Sequence, residues 1–259
     1  MATLDDNDSI YEGKAIIVID NLIANIGDSL DIVEEFKSSD AKFVDVSERA
    51  IIPGLIDAHN HLLWAGDRFN EHKLRMDGMT YSEIAASGGG IMQTVTHTRK
   101  ASTDQLIAIG VQRMQESLRN GCTFLEAKSG YGLSTSEELR LLEVQNKLNK
   151  ISDLPSIHST WMGAHAVTKG KSYQEYTEEI LSEQLPEVLD SGLAESADVF
   201  CEPGWFSIEQ SEDILSESRS GGLNLRMHID EFSNGGGGEL ASELKVVTAD
   251  HAHHTPLDI

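Results

Sequence analysis

LIDAHNH, residues 55–61, begins with a short apolar run and ends with two histidines, His59 and His61. Five later segments share this design, an apolar run that ends near a polar residue: CTFLEAK (122–128), SIHSTWMGAH (156–165), ADVFCE (197–202), NLRMHID (224–230) and VVTADH (246–251). Amphipathic stretches lie between the six segments. This alternation is typical of strands and helices around a parallel sheet, and it predicts an α/β fold of the TIM-like (β/α) barrel type.

Capping residues locate several helix starts between the strands. Ser102 or Thr103 is expected to open the helix that follows the long 62–101 connection, and Ser207 with Gln210 opens another. Thr135 and Glu138 have the spacing of a capping box, so Thr135 is expected to be the N-cap of the helix that follows.

The N-terminal residues predict a small β-rich domain. The expected elements are strands at KAIIVID (14–20), NLIANIGD (21–28) and AKFVDVSERAIIPG (41–54), with a polar helix at DIVEEFKSS (31–39). We therefore predict two domains, residues 1–53 and the barrel at 54–259.

Composition and charge exclude several classes of protein. With 20 Lys+Arg against 43 Asp+Glu, the net charge of −23 disfavours sequence-independent nucleic-acid binding and anionic membranes. No segment approaches the roughly 18 apolar residues of a membrane span. Cys122 and Cys201 lie in apolar runs outside any CxxC motif, which favours buried free thiols. We therefore expect a soluble cytoplasmic protein with no nucleic-acid or membrane partner.

Polar residues end nearly every predicted strand. They are His59, His61, Lys128, His165, Glu202, His228 and His251. Because parallel strands of a barrel direct their carboxyl ends to one face, these side chains are expected to converge at one mouth.

Four of these histidines suggest a metal site. His59 and His61 lie on the same side of a strand because side chains alternate, and imidazole is a common ligand of zinc and iron. His228 and His251, each at a strand end, strengthen this hypothesis. An isolated His-x-His fits histidines without a metal equally well.

Three other side chains are candidates for substrate contacts. Arg68, in the long connection after the first strand, could bind a carboxylate through two parallel hydrogen bonds. Glu231 could bind a substrate N–H or transfer protons, or could be an ordinary loop carboxylate. The glycines around Tyr131 predict a tight turn, which leaves open whether Tyr131 contacts a ligand.

Seven motifs, taken together, resemble those of the imidazolonepropionases, a family of the amidohydrolase superfamily. In order they are PGLIDAHNH, MDGMTYSEIAASGGGI, EAKSGYG, GAHA, DVFCE, HIDEFSN and ADH, between Pro53 and His251. The resemblance implies the barrel plus a small composite β-sandwich domain built from both chain ends. It also implies hydrolysis of 4-imidazolone-5-propanoate, a small molecule, to N-formimino-L-glutamate in histidine degradation. A homodimer would be ordinary for such a fold.

The resemblance also implies roles for individual residues. One Zn or Fe ion would be held by His59, His61 and His228. The substrate would be contacted by Arg68, through its propionate, and by Tyr131, His165 and Glu231. His251 would orient or deprotonate the attacking water, with Glu231 as the second catalytic side chain.

The resemblance ends before the family pattern is complete. The family has eight barrel strands and an aspartate metal ligand on the eighth, whereas Ile259 follows the sixth strand predicted here. We therefore expect a truncated chain with about six of eight strands. Two alternatives remain: another amidohydrolase, such as a deaminase or cyclic-amide hydrolase, and a non-catalytic remnant that binds a metal or ligand.

Overall fold

The computed structural model describes residues 1–3, 5–80, 83–84 and 87–259. Contacts divide the chain into two compact units, Met1–Gly54 and Leu55–Ile259. Four residues of the MDGMTYSEIAASGGGI motif lie outside the described residues: Tyr81, Ser82, Ala85 and Ala86.

The first unit contains an antiparallel hairpin and one helix. Its elements are β1 (Lys14–Ile19), β2 (Leu22–Asp28) and α1 (Ser29–Phe36). The side chain of Asp28 accepts a hydrogen bond from the Leu30 amide and so begins α1. These three elements correspond to the first two predicted strands and the predicted helix.

The third strand predicted in this unit, at residues 41–54, is wrong. The segment has no strand, and β1 and β2 form a sheet of only two strands within this described unit. A strand needs a hydrogen-bonding partner and a surface on which to bury its apolar side chains. Phe43 and Val44 find no such surface, since they are 52% and 70% exposed.

The second unit contains six strands that pair in the order of the sequence, all of them parallel. They are β3 (Leu55–Asn60), β4 (Cys122–Lys128), β5 (Ser156–Ala164), β6 (Ser196–Cys201), β7 (Asn224–Ile229) and β8 (Thr248–His251). The arrangement matches part of a TIM barrel and confirms the predicted fold class.

Helices connect these strands. They are α2 (Phe69–Met76), α3 (Ile91–Lys100), α4 (Thr103–Arg119), α5 (Thr135–Leu148), α6 (Tyr173–Glu179), a π-helical segment (Ile180–Gln184), α7 (Leu185–Ser191), α8 (Ile208–Ser220) and α9 (Gly237–Glu243). In the part of the chain that the structure describes, no helix combines the length and apolar character needed to cross a bilayer.

Two of the predicted helix starts are confirmed and one is wrong. Ser102 and Ser207 are N-caps, and each forms a capping box. Helix α5 instead has Ser134 as its N-cap, without a side-chain cap bond. Glu138 does not bond the helix start because its carboxylate binds the preceding turn, at Gly130, Gly132 and Leu133.

The strands separate an apolar helix-facing side from a polar interior. Leu125 and Ala127 of β4 pack in an apolar cluster with residues of α4 and α5. Glu126 and Lys128 alternate with them and point to the other face, where they form ion pairs. The interior of the sheet therefore carries the charged residues that reach the candidate site.

The two cysteines are buried free thiols, as predicted. Cys122 begins β4 and Cys201 ends β6. Burial raises the pKa of the Cys201 thiol, which disfavours the reactive thiolate.

Candidate active site

Three histidine rings meet at the carboxyl ends of β3, β7 and β8. The ring centroids of His59 and His228 lie 4.6 Å apart, and that of His251 lies 5.1 Å from each of them. Each histidine offers a ring nitrogen within 4.8 Å of the others. Imidazole nitrogens are usual ligands of zinc and iron, so these residues fit a metal ion.

Hydrogen bonds fix the orientation of three histidine rings in this region. Each bond joins Nδ1 to an oxygen: from His61 to the Ser129 carbonyl (2.7 Å), from His165 to the Gly130 carbonyl (2.9 Å) and from His228 to the Asp198 carboxylate (3.0 Å). Because these oxygens accept, Nδ1 carries a proton, and Nε2 is the nitrogen that a neutral ring offers to a metal. Metal-binding histidines are commonly oriented in this way.

His59, His228 and His251 form the histidine group, and His61 lies outside it. Its ring centroid is 6.5 Å from that of His59 and 6.4 Å from that of His228. It stacks on His165 at 4.7 Å with an interplanar angle of 9°, and Tyr131 lies 4.9 Å away. His61 therefore links the histidine group to residues predicted to contact substrate.

Lys128, at the end of β4, is completely buried among three carboxylates. Its Nζ lies 2.6 Å from Asp198, 2.9 Å from Glu126 and 3.1 Å from Asp250. Burial alone lowers the pKa of Lys128, but the charges of Asp198 and Glu126 outweigh burial and raise the pKa above its usual value. Lys128 is therefore a cation that holds the carboxylates of neighbouring strands.

Two of these carboxylates also contact the histidine group. Asp198 accepts the hydrogen bond of His228, and Oδ2 of Asp250 lies 3.0 Å from Nδ1 of His59. Burial raises the pKa of Asp198, but His228 and Lys128 outweigh it and hold the pKa far below its usual value. Neither aspartate was predicted as a site residue. The sequence feature that could have indicated them is an aspartate inside an otherwise apolar strand, as Asp198 is in ADVFCE.

Burial lowers the pKa of three rings at the site. Burial, with a smaller effect of nearby His228, lowers the pKa of His165 to about 3 and that of His251 to about 4. Burial and then His165 lower the pKa of His61 well below its usual value. At neutral pH these rings are therefore neutral, the form that binds a metal or accepts a proton.

A cavity of about 450 Å³ adjoins these histidines. All four side chains predicted to contact substrate line it: Arg68, Tyr131, His165 and Glu231. Sequence reasoning did not identify the remaining lining residues, which are Arg75, Met79, Ile91, Phe200, Trp205 and Phe232. An apolar wall with a few convergent polar groups suits a small polar molecule that has an apolar face.

The two residues predicted to be catalytic are neighbours. Nε2 of His251 lies 3.6 Å from Oε2 of Glu231, and both side chains are partly exposed. Burial raises the pKa of Glu231, although His228 opposes this effect. The separation is too long for a direct hydrogen bond, but both groups could act on one bound molecule.

Arg68 is oriented by a buried carboxylate. Glu71 accepts hydrogen bonds from Nε and Nη2 of Arg68, at 2.9 and 2.6 Å. The other oxygen of Glu71 accepts from the Gly90 amide at 2.7 Å. Glu71 therefore joins the arginine to the start of α3, a role that the sequence alone did not reveal.

Glu202 orients the loop that carries Glu231. Its carboxylate accepts hydrogen bonds from the backbone amides of Glu231 and Ser233, both at 2.9 Å, and from that of Phe232 at 3.2 Å. Although Glu202 was predicted to lie at the mouth, it is 3% exposed and contacts the backbone. Buried carboxylates thus hold two of the loops that line the cavity.

Replacing Gly130 by alanine is expected to destabilise the protein by about 1–3 kcal/mol more than the same change at Gly170, the cost of overpacking. Both glycines have left-handed backbone, with φ of +89° and +92°. A Cβ at Gly130 would lie 2.7 Å from Nδ1 of His165, whereas one at Gly170 would meet nothing within 4 Å. Denaturant unfolding of both variants checks this prediction. Equal losses would mean that the contact with His165 is not tight.

Comparisons with known proteins show what the chain resembles. No family model matches the chain. An imidazolonepropionase from Thermoanaerobacter pseudethanolicus is 46% identical over 211 residues, which cover 80% of this chain and 50% of the relative. One from Clostridium tetani is 38% identical over 252 residues, which cover 96% of this chain and 60% of the relative. The chain thus spans about half the length of these curated relatives.

A solved structure supports the fold. A 5-methylcytosine deaminase from Klebsiella pneumoniae superposes with a TM-score of 0.60 at 12% identity, over 94% of this chain and 54% of the other. At this identity the likeness shows a shared barrel fold and no more. The sequence relatives are more specific: over 80% and 96% of its length the chain is similar in sequence to these two imidazolonepropionases.

Proposed function

We propose that this chain provides the metal- and substrate-binding mouth for hydrolysis of 4-imidazolone-5-propanoate to N-formimino-L-glutamate. The observation that carries the proposal is the common cavity of Arg68, Tyr131, His165 and Glu231 beside the histidine group. The names of the sequence relatives supply the substrate.

One Zn or Fe ion is proposed to be held by His59, His61 and His228. Histidine nitrogens suit both metals, so the donors do not select between them. Within the described residues, His251 lies closer than His61 to the other two rings, and the assignment of His61 rests on its place in the His-x-His motif. When bound, such an ion polarises the bond under attack and makes a water molecule more acidic.

The protein groups are proposed to bind the substrate and move protons. Arg68, oriented by Glu71, binds the propionate carboxylate through its guanidinium group. Tyr131, His165 and Glu231 contact the ring. His251 takes the proton of the attacking water, whose oxygen ends in the new carboxylate as the ring C–N bond breaks and nitrogen gains a proton.

The test is turnover by the purified protein. Zinc-loaded and iron-loaded samples are incubated with 4-imidazolone-5-propanoate, and substrate loss and N-formimino-L-glutamate formation are followed. Cytosine and guanine serve as comparison substrates for the deaminase alternative. We expect turnover of the imidazolone alone. Bound metal without turnover of any substrate would contradict the proposal and favour a binding role.

A further inference from the structure

The turn at residues 129–133, SGYGL, controls three rings of the proposed site. Its first carbonyl, at Ser129, accepts the Nδ1–H of His61, and its second, at Gly130, accepts that of His165. Its third residue, Tyr131, lines the cavity and lies 4.9 Å from the ring of His61 and 5.4 Å from that of His165. The path of this backbone therefore sets the orientation of all three rings.

A buried carboxylate from helix α5 holds the turn. Glu138 is fully buried and accepts three backbone amides, from Gly130 at 3.0 Å, Gly132 at 2.7 Å and Leu133 at 2.8 Å. One carboxylate thus satisfies three amide donors of a five-residue turn. Hydrogen bonds to a charged acceptor are stronger than those to a neutral one.

Arg99, from helix α3, binds the carbonyl groups of the same turn. Its Nε donates to the Gly132 carbonyl at 2.6 Å and its Nη2 to the Leu133 carbonyl at 2.9 Å. Three amides of the turn are therefore bound by a carboxylate, and its last two carbonyls by a guanidinium group.

The turn needs such support because its backbone is unfavourable. Leu133 has a φ of +49°, a left-handed conformation that non-glycine residues rarely adopt. A Cβ on Gly132 would lie 2.6 Å from the amide nitrogen of Glu138, so the turn packs directly on the first turn of α5. Conformations of this kind persist where the surroundings hold them, and they are frequent at functional sites.

We propose that Glu138 is a positioning residue for the reaction, which acts through the 129–133 turn on His61, Tyr131 and His165 without contacting substrate. This inference rests on the proposed function for its catalytic consequence. Its structural part, the control of ring orientation, can be tested without turnover.

The test compares Glu138→Gln with Glu143→Gln, a change at an exposed position of the same helix. In metal-free protein labelled with ¹⁵N-histidine, NMR reports which ring nitrogen carries the proton. We expect the Nδ1–H form of His61 and His165 in the parent protein and in Glu143→Gln. In Glu138→Gln the amide NH₂ group faces backbone amides, so we expect a mixture of tautomers at both rings.

Kinetics provide the second measurement. We expect Glu138→Gln to reduce kcat/KM roughly 10–100-fold, the effect typical of residues that orient metal ligands through hydrogen bonds without binding the metal. Absence of turnover in the parent protein would overturn the proposed function and would leave the NMR test intact. Parent-like tautomers in Glu138→Gln would overturn the positioning role.

A second variant covers the case in which Glu138→Gln does not fold. Arg99 is exposed, so Arg99→Gln removes the cation from the carbonyl side of the turn with little loss of buried contact. In Arg99→Gln we again expect a mixture of tautomers at His61 and His165, with less of the Nε2–H form than in Glu138→Gln. Parent-like spectra of folded Arg99→Gln, together with an unfolded Glu138→Gln, would assign Glu138 to folding alone and overturn the proposal.

Discussion

Replacing Lys128 by methionine is expected to lower the free energy of unfolding by about 3–5 kcal/mol, the cost of removing one partner from a buried ion pair. Lys128 is fully buried, and three carboxylates contact its Nζ. Methionine has a similar length, so the loss of packing is small. Without the cation, Asp198 and Glu126 remain buried and lose the charge that contacts both of them. Glu126 would retain the longer ion pair with Arg226, at 3.7 Å, and Asp198 its hydrogen bond from His228.

Urea unfolding, followed by circular dichroism, measures this loss. The matched control is Lys147→Met, because Lys147 is exposed on helix α5. The control is expected to change the free energy of unfolding by less than about 0.5 kcal/mol. Similar unfolding midpoints for the two variants would show that the buried cluster tolerates loss of its cation, and our view of the barrel interior would be wrong.

Replacing His228 by alanine is expected to weaken zinc binding strongly. The loss of affinity should exceed the roughly 10–100-fold that follows removal of a residue that only orients a metal ligand. His228 belongs to both groups of residues that bring three ligand atoms together in the described chain. It is 3% exposed, and Asp198 fixes its orientation. Removing it eliminates a ligand and also leaves Asp198 without one of its partners.

Competition between the protein and a zinc chelator measures this affinity. His72→Ala is the matched control, since His72 lies exposed on helix α2. We expect the control to retain the affinity of the parent protein. If His228→Ala also retained it, zinc would have to bind elsewhere on the chain.

The six barrel strands could be predicted because each combines an apolar run with a polar end. Residues 122–128 and 224–229 are strands in the structure within one residue of the predicted bounds. The convergence of strand ends followed from the parallel arrangement alone, without knowledge of any side-chain contact. This is why His59, His228 and His251 were expected to meet.

The role of Glu138 could not be predicted from local spacing. Thr135 and Glu138 have the sequence of a capping box, but the carboxylate bonds the turn before the helix. The capping-box spacing considers only residues at the helix start. It takes no account of a neighbouring turn whose three amides need an acceptor. The same limit applies to residues 41–54, whose alternating apolar pattern has no partner strand.

The carboxylates of the interior were missed because their partners are distant in sequence. Lys128 and Asp198 are separated by 70 positions, and His228 and Asp198 by 30. Each aspartate alone resembles a surface residue of an acidic protein. The register of the sheet pairs His228 with Asp250 and Arg226 with Asp198, so Asp198 lies on the same face as His228, two residues further down the sheet.

The most direct test of a metal-dependent site is the position of zinc in crystals of the zinc-loaded protein, located by anomalous scattering. We predict one ion at the carboxyl ends of β3 and β7, with nitrogen ligands from His59, His61 and His228 at about 2.0–2.1 Å. An ion bound only to histidines elsewhere on the chain, or no ion near His59 and His228, would contradict a metal site at these strand ends.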